Sequence, residues 1–323
     1  MKPASPVRVL SVGIFAPGLD AALKISHVIT AIENRIDAEV AKLAAESDVV
    51  VSGGFKAAWK TPGAVRPLLV SSSGAGYDGI DRTALPAGCA VCNVYGHERG
   101  VTEEAFMHIL ALQRNLRGLD AALRRGDWSN NQPYLPEVRG RRLLILGLGH
   151  IGAELLRFGQ FFGMEVSAVT RRPSRERAEQ LGIKEIGGYA DLGRLLPSAD
   201  FVVVAIPHSA ETENLIGEKE LKLMKPGAFI VNVGRGPVIN EAALYDALRD
   251  RRIAGAGLGV WYQYPEADEL RRPSTLPFHE LENVVMAPHK PTQETIDYRI
   301  GAIAKNIERL VAGEPLVNLV YRV

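Results

Sequence analysis

The stretch "RLLILGLGHIGAELLRFGQFFG" constrains the fold more than any other part of the chain. A continuous apolar run ends in three glycines, Gly147, Gly149 and Gly152, spaced G-x-G-x-x-G, and a helical pattern starts directly after them. An apolar run without alternation suits a strand covered on both faces, as in a parallel sheet with crossover helices. In such a unit the first glycine permits a tight turn and the second lets a pyrophosphate approach the backbone. The third lets helix and strand close up. His150 and Ile151, between the second and third glycines, open a helix whose N–H groups can receive phosphates. The context predicts a dinucleotide fold; a glycine-rich turn without a ligand is the plainer alternative.

Strand and helix patterns alternate through the rest of the chain. "VRVLSVG" and "SDVVVSG" read as strands on either side of the helical "DAEVAKLAAE", and "RPLLVSSSGAGYDGID" and "CAVCNVYG" supply two more. Thr102 to Trp128 reads as one long helix, opened by the threonine and closed near Gly126. The Pro-rich "SNNQPYLPEVRG" that follows reads as a passage between domains. From Arg141 a second series runs through "RLLILGLG", "EVSAVT", "DFVVVAIP", "AFIVNVG", "AGAGLGV" and "NVVMAP". The last helix, "TQETIDYRIGAIAKNIERLVAGE", returns to the first domain. The expected class is α/β, with two doubly wound parallel-sheet domains. Residues 1–100 and 291–323 form the first, and residues 101–290 the nucleotide-binding one.

With 38 Lys and Arg scattered among 37 acids, and a net charge of +1, the chain lacks the concentrated basic charge that nucleic acid or a membrane surface would need. A small or anionic ligand suits it better. No apolar run approaches the roughly 18 residues of a membrane span, and "VRVLSVG" is too short and too early for a secretory signal, so a cytoplasmic location is expected. Cys89 and Cys92 form a C-x-x-C, but the pair lies in an apolar run with no second ligand pair, and no metal is expected.

In a dinucleotide fold an acid at the end of the next strand would accept from the ribose 2′-OH. Thr170 stands there, 18 positions beyond the third glycine, followed by Arg171 and Arg172. A carboxylate would repel a 2′-phosphate, whereas guanidinium groups clamp it with charge-assisted hydrogen bonds. NADP(H) is therefore the preferred cofactor expected, with NAD(H) open, and a solvated basic turn is the alternative.

The segment "ADFVVVAIPHSAETENLIGEKELKLMKPGAFIVNVGRGPVINEAALYDALRDRRIAGAGLGV", with "NVVMAPH", "GAGYDGID" and "NVYGHERGVTEEAF", resembles the D-isomer-specific 2-hydroxyacid dehydrogenase family. The resemblance covers the chain from about Val70 to Val311. It implies a Rossmann cofactor domain, a flavodoxin-like substrate domain and reduction of a small 2-keto acid of the glyoxylate, hydroxypyruvate or aryl-pyruvate type. Arg235 would hold the substrate carboxylate and carbonyl, and His289 would be the acid/base. The chemistry agrees, since a keto acid needs a fixed cation and a proton donor for the developing alkoxide. Val233 and Gly234 before the arginine, and Pro207 and Thr212, fall where the family's loops pass the cofactor. Gly74, Ala75 and Gly76 match its carboxylate-binding turn, while Tyr95 and His97 would line the pocket or an interface. A homodimer built through the cofactor domain is also implied.

The chain departs from the family at "GVWYQYP". Gly259 replaces an Asp near the nicotinamide amide, and Tyr264 replaces the Glu that hydrogen-bonds the catalytic His; Lys290 follows the histidine. These changes keep two further readings open. One is a weakly catalytic or non-catalytic nucleotide-sensing protein on the same fold; the other is hydride transfer of the formate dehydrogenase type.

Overall fold

Runs of β-branched and other apolar residues build two sheets, each belonging to its own unit. The computed structural model describes residues 5–33, 36–128, 134–264 and 271–323. Its strands are β1 (Val7–Val12), β2 (His27–Ile32), β3 (Val49–Ser52), β4 (Leu69–Ser72), β5 (Ala90–Cys92), β6 (Arg142–Leu146) and β7 (Glu165–Val169). They continue with β8 (Glu185–Gly187), β9 (Phe201–Val204), β10 (Phe229–Asn232), β11 (Gly255–Leu258), β12 (Val284–Met286) and β13 (Leu319–Arg322).

The first unit comprises described residues up to Gly96 and from Pro291 onward. Its sheet runs β2-β1-β3-β4-β5-β13, parallel except for β13, which pairs antiparallel with β5. The helix Gln293–Ala312 belongs here and packs Ile303, Ala304 and Ile307 into the core with Val9, Val49 and Leu69. The sequence pattern overlooked the helix Ala16–Ala22 and strands β2 and β13. All but one residue of β2, and every residue of β13, keep some solvent exposure at the two edges of the sheet.

The second unit holds the described residues from His97 to Tyr264 and from Arg271 to Lys290. Its seven parallel strands are ordered β8-β7-β6-β9-β10-β11-β12. Counted from β6, this is the dinucleotide-fold order, with the direction of winding reversing between β6 and β9 and leaving a crevice at the carboxyl ends of those strands. Leu144, Val202 and Ile230 enter the core on one face of the sheet, and Leu143, Val203 and Val231 on the other. Both faces are covered, which is why the strands read as unbroken apolar runs. Strand β8 has only three residues and went unread.

Two expectations are corrected. The stretch Thr102 to Trp128 is not one helix: a first helix spans Glu98–Gln113 and a second Leu116–Arg124. Asn115 between them adopts a left-handed backbone with φ 45°, which asparagine tolerates better than most residues. Thr102 is buried inside the first helix and does not open it. The chain passes from one unit to the other at Gly96–His97, ahead of that helix. "SNNQPYLPEVRG" therefore has the second unit on both sides, and its residues 129–133 lie outside those described. Among the described residues no helix is long and apolar enough to cross a membrane, and no group of three or more His, Cys, Asp or Glu is placed to hold a metal ion.

Candidate active site

The glycine loop joins β6 to the helix His150–Phe161. Gly147 has φ +104°, and a Cβ on Gly152 would lie 1.9 Å from the Gly147 carbonyl oxygen, so any side chain there would separate helix from strand. A Cβ on Gly149 would meet nothing within 4 Å. The backbone is thus bare where a pyrophosphate would approach it, and the loop fits a dinucleotide. His150 and Ile151 form the first turn of the helix. Arg177 donates from Nη2 to the Leu148 carbonyl at 3.2 Å and braces the loop.

At the end of β7, Thr170 is half-buried and its N–H donates to the Gly187 carbonyl. Arg171 and Arg172 are exposed. Nε of Arg171 lies 3.3 Å from Oε2 of Glu211, a partner not foreseen from the sequence. Both side chains are more than half exposed, so water screens the pair and it holds Arg171 only weakly. In the loop after β9, the Thr212 hydroxyl donates to the Pro207 carbonyl at 2.7 Å and accepts from the Ser209 N–H at 2.8 Å. Thr212 is fully buried and shapes this loop from within.

Arg235 follows β10 in a turn clamped by Asn232, which is 1% exposed. The Asn232 amide donates to the Arg235 carbonyl at 3.0 Å, and its oxygen accepts from the Gly234 N–H at 3.1 Å. Val233 donates from its N–H to the Val204 carbonyl, tying the turn to β9. Arg235 itself is half-buried and donates from Nη1 to the Gly234 carbonyl at 2.9 Å. A cation is thereby fixed at the carboxyl end of β10. Asn232 was legible only as part of an apolar strand.

The Tyr264 hydroxyl lies 3.2 Å from Nδ1 of His289, with ring centroids 5.8 Å apart and planes at 65°. The Trp261 backbone N–H donates to the same hydroxyl at 3.2 Å. Its indole N–H donates to the Ala287 carbonyl at 2.9 Å. Buried Trp261 thus anchors both the tyrosine and the segment that carries the histidine. His289 and Lys290 are exposed.

In the first unit, β4 ends in the turn holding Gly74, Ala75 and Gly76. The Ser72 hydroxyl donates to the Gly76 carbonyl and accepts from the Gly74 N–H. The Asn93 amide donates to the Ala75 carbonyl at 2.8 Å. Among the described residues, the N–H groups of Ala75 and Gly76 donate to no other group. The guanidinium of Arg299, from the helix Gln293–Ala312, lies about 3.5 Å from where a Cβ on Gly74 would stand. The turn therefore combines two available amides with a cation that comes from 225 residues away in sequence. Tyr95 is half-buried in the first unit, and His97 is buried ahead of the first helix of the second.

Residues 106–290 match the family profile described as D-isomer specific 2-hydroxyacid dehydrogenase, NAD binding domain. A glyoxylate reductase of Thermococcus litoralis is 35% identical over 265 residues, covering 79% of this chain and 77% of that protein. One of Thermococcus onnurineus is 33% identical over 318 residues, covering 94% and 85% respectively. Among solved structures, an NADPH-dependent glyoxylate/hydroxypyruvate reductase of Sinorhizobium meliloti, in complex with NADP and malonate, aligns with a TM-score of 0.82 at 26% identity over 99% of both chains.

Proposed function

This chain belongs to the D-isomer-specific 2-hydroxyacid dehydrogenase family, and we propose that it reduces a small 2-keto acid to the D-2-hydroxy acid with NADPH. As a member of that family it is an oxidoreductase with a nicotinamide cofactor. The observation that carries the proposal is the contact between Tyr264 and His289, which gives the histidine a fixed partner at Nδ1 in the unit that also holds Arg235 and the glycine loop.

A bound reduced nicotinamide would supply the hydride. Arg235, held by Asn232, binds the substrate carboxylate and polarises the ketone with its planar fork of donors. With Nδ1 engaged by Tyr264, Nε2 of His289 is the nitrogen that gives the proton to the carbonyl oxygen as the alkoxide develops. Within the first unit, the amides of Ala75 and Gly76, with Arg299 beside them, form a turn that favours an anion.

Selection of NADPH rests on the exposed arginines after β7 and the absence of an acid at position 170. A relative solved with NADP supports the same choice. The Tyr264–His289 contact favours keto-acid reduction over formate oxidation, because formate needs no proton donor. The test mixes the protein with NADPH or NADH and glyoxylate, hydroxypyruvate or an aryl pyruvate, and follows nicotinamide absorbance. NADPH oxidation with at least one keto acid is expected. Dinucleotide binding without turnover on any of them favours the nucleotide-sensing alternative.

A further inference from the structure

Gly259 stands just past the end of β11, and the space that a side chain would take there is occupied. A Cβ on Gly259 would lie 2.2 Å from Oε1 of Glu104 and 3.0 Å from its carboxyl carbon. Glu104 belongs to the helix Glu98–Gln113, which packs on β10 and β11. Its carboxylate thus reaches the sheet at a point where this strand carries no side chain of its own. Oε1 is buried and, among the described residues, has no hydrogen-bond partner.

One helical turn on, His108 is completely buried, with Nε2 at 3.7 Å from the same carboxylate oxygen and no hydrogen bond to either ring nitrogen. A Cβ on Gly257 would lie 2.5 Å from the Cβ of His108. Positions 257 and 259 share a face of the strand, and both are glycines where the helix presents a polar side chain. An acceptor oxygen buried without a donor is costly unless something supplies one.

The sheet's geometry indicates what that donor is. The glycine loop follows β6, and the segment proposed for the adenosine ribose follows β7. The other half of a dinucleotide then falls on the far side of the switch point, over the carboxyl ends of β9, β10 and β11. Gly259 is at the end of β11. The group there that carries an N–H is the carboxamide of the nicotinamide ring.

We propose that Glu104 accepts a hydrogen bond from the nicotinamide carboxamide, supplying from the helix the carboxylate that the strand lacks at position 259. His108, closely packed behind it, holds Glu104 in place and is a positioning residue. This rests on the proposed nicotinamide-dependent function and concerns ring orientation, not the substrate.

The test measures binding, not turnover. Dissociation constants for NADPH and for its 3-acetylpyridine analogue, which lacks the carboxamide N–H, are obtained by fluorescence titration. Wild type is expected to prefer NADPH by about tenfold or more, the weight of one hydrogen bond to a charged acceptor. Glu104→Leu keeps most of the buried volume but removes the acceptor, and it is expected to bind both within about twofold. Adding Gly259→Asp to a Glu104→Ala protein returns a carboxylate from the strand and is expected to restore the preference. An undiminished preference for NADPH in Glu104→Leu would overturn the assignment while leaving the cofactor reading intact. Failure of wild type to bind either dinucleotide would overturn both.

Discussion

The Tyr264 hydroxyl is held between the Trp261 backbone N–H and Nδ1 of His289, at 3.2 Å from each. A neutral hydroxyl thus stands where the resemblance would place a carboxylate. It can orient the imidazole but offers no negative charge to the protonated ring. Tyr264→Phe keeps the aromatic ring and deletes the orienting bond. A fall in kcat of about tenfold is expected, the weight of one ordinary hydrogen bond, with the NADPH dissociation constant unchanged. An unchanged kcat would show that the hydroxyl does not position the histidine.

Arg171 and Arg172 set the expectation for cofactor choice. Replacing both with alanine removes the two cations directly after Thr170, and with Arg171 the ion-pair partner of Glu211. NADPH binding is expected to weaken by roughly 1.5–3 kcal/mol per lost charged contact, with little change for NADH. Titration of each reduced cofactor checks this, and equal losses for both would refute the 2′-phosphate assignment.

Arg235→Lys keeps the charge but not the planar fork. Keto-acid reduction is expected to be crippled on every substrate the wild type accepts, because a point ammonium cannot span a carboxylate and a carbonyl. Cofactor affinity is expected to survive, since the Asn232 clamp holds the backbone of the turn and not the guanidinium. Steady-state kinetics at near wild-type values would remove Arg235 from the substrate site.

Burial pushes the Cys89 thiol up to about 12 and the Cys92 thiol up to about 11. Raised values mean that the thiolate, the reactive form, is disfavoured throughout neutral and mildly alkaline pH. A thiol reagent at pH 8 is expected to label neither cysteine in the native protein and both after unfolding. Rapid native labelling would contradict their burial in the β5 region.

Most strands of the second sheet were legible because they spell apolar runs; β8, Glu185–Gly187, has Ile186 as its one large apolar residue and spells none. The break at Asn115 was hidden because it lies in one backbone torsion while helical periodicity continues on either side. Of the candidate site residues, Gly147 could be read from local spacing, and Arg235 and His289 from the family resemblance of the motifs around them. Those that act across the fold could not. Glu104 reaches Gly259, Arg299 reaches Gly74 and Glu211 reaches Arg171 only after strands and helices have assembled. Gly259 looked like a loss in the sequence, whereas the structure shows a carboxylate from another element in its place.

The proton-donor role proposed for His289, with the Tyr264 hydroxyl as its partner, sets the pH dependence of reduction. It is tested by kcat/KM for keto-acid reduction across about pH 5–9, where a histidine titrates, in wild type and in Tyr264→Glu. Reduction consumes the protonated imidazole, so the rate is expected to fall as pH rises through the histidine's titration. Glutamate at position 264 places a negative charge beside Nδ1 and favours the protonated ring. The falling limb is therefore expected to move upward by about one unit or more. A limb at the same pH in a folded Tyr264→Glu protein would contradict the pairing of Tyr264 with His289 and the proton-donor role built on it.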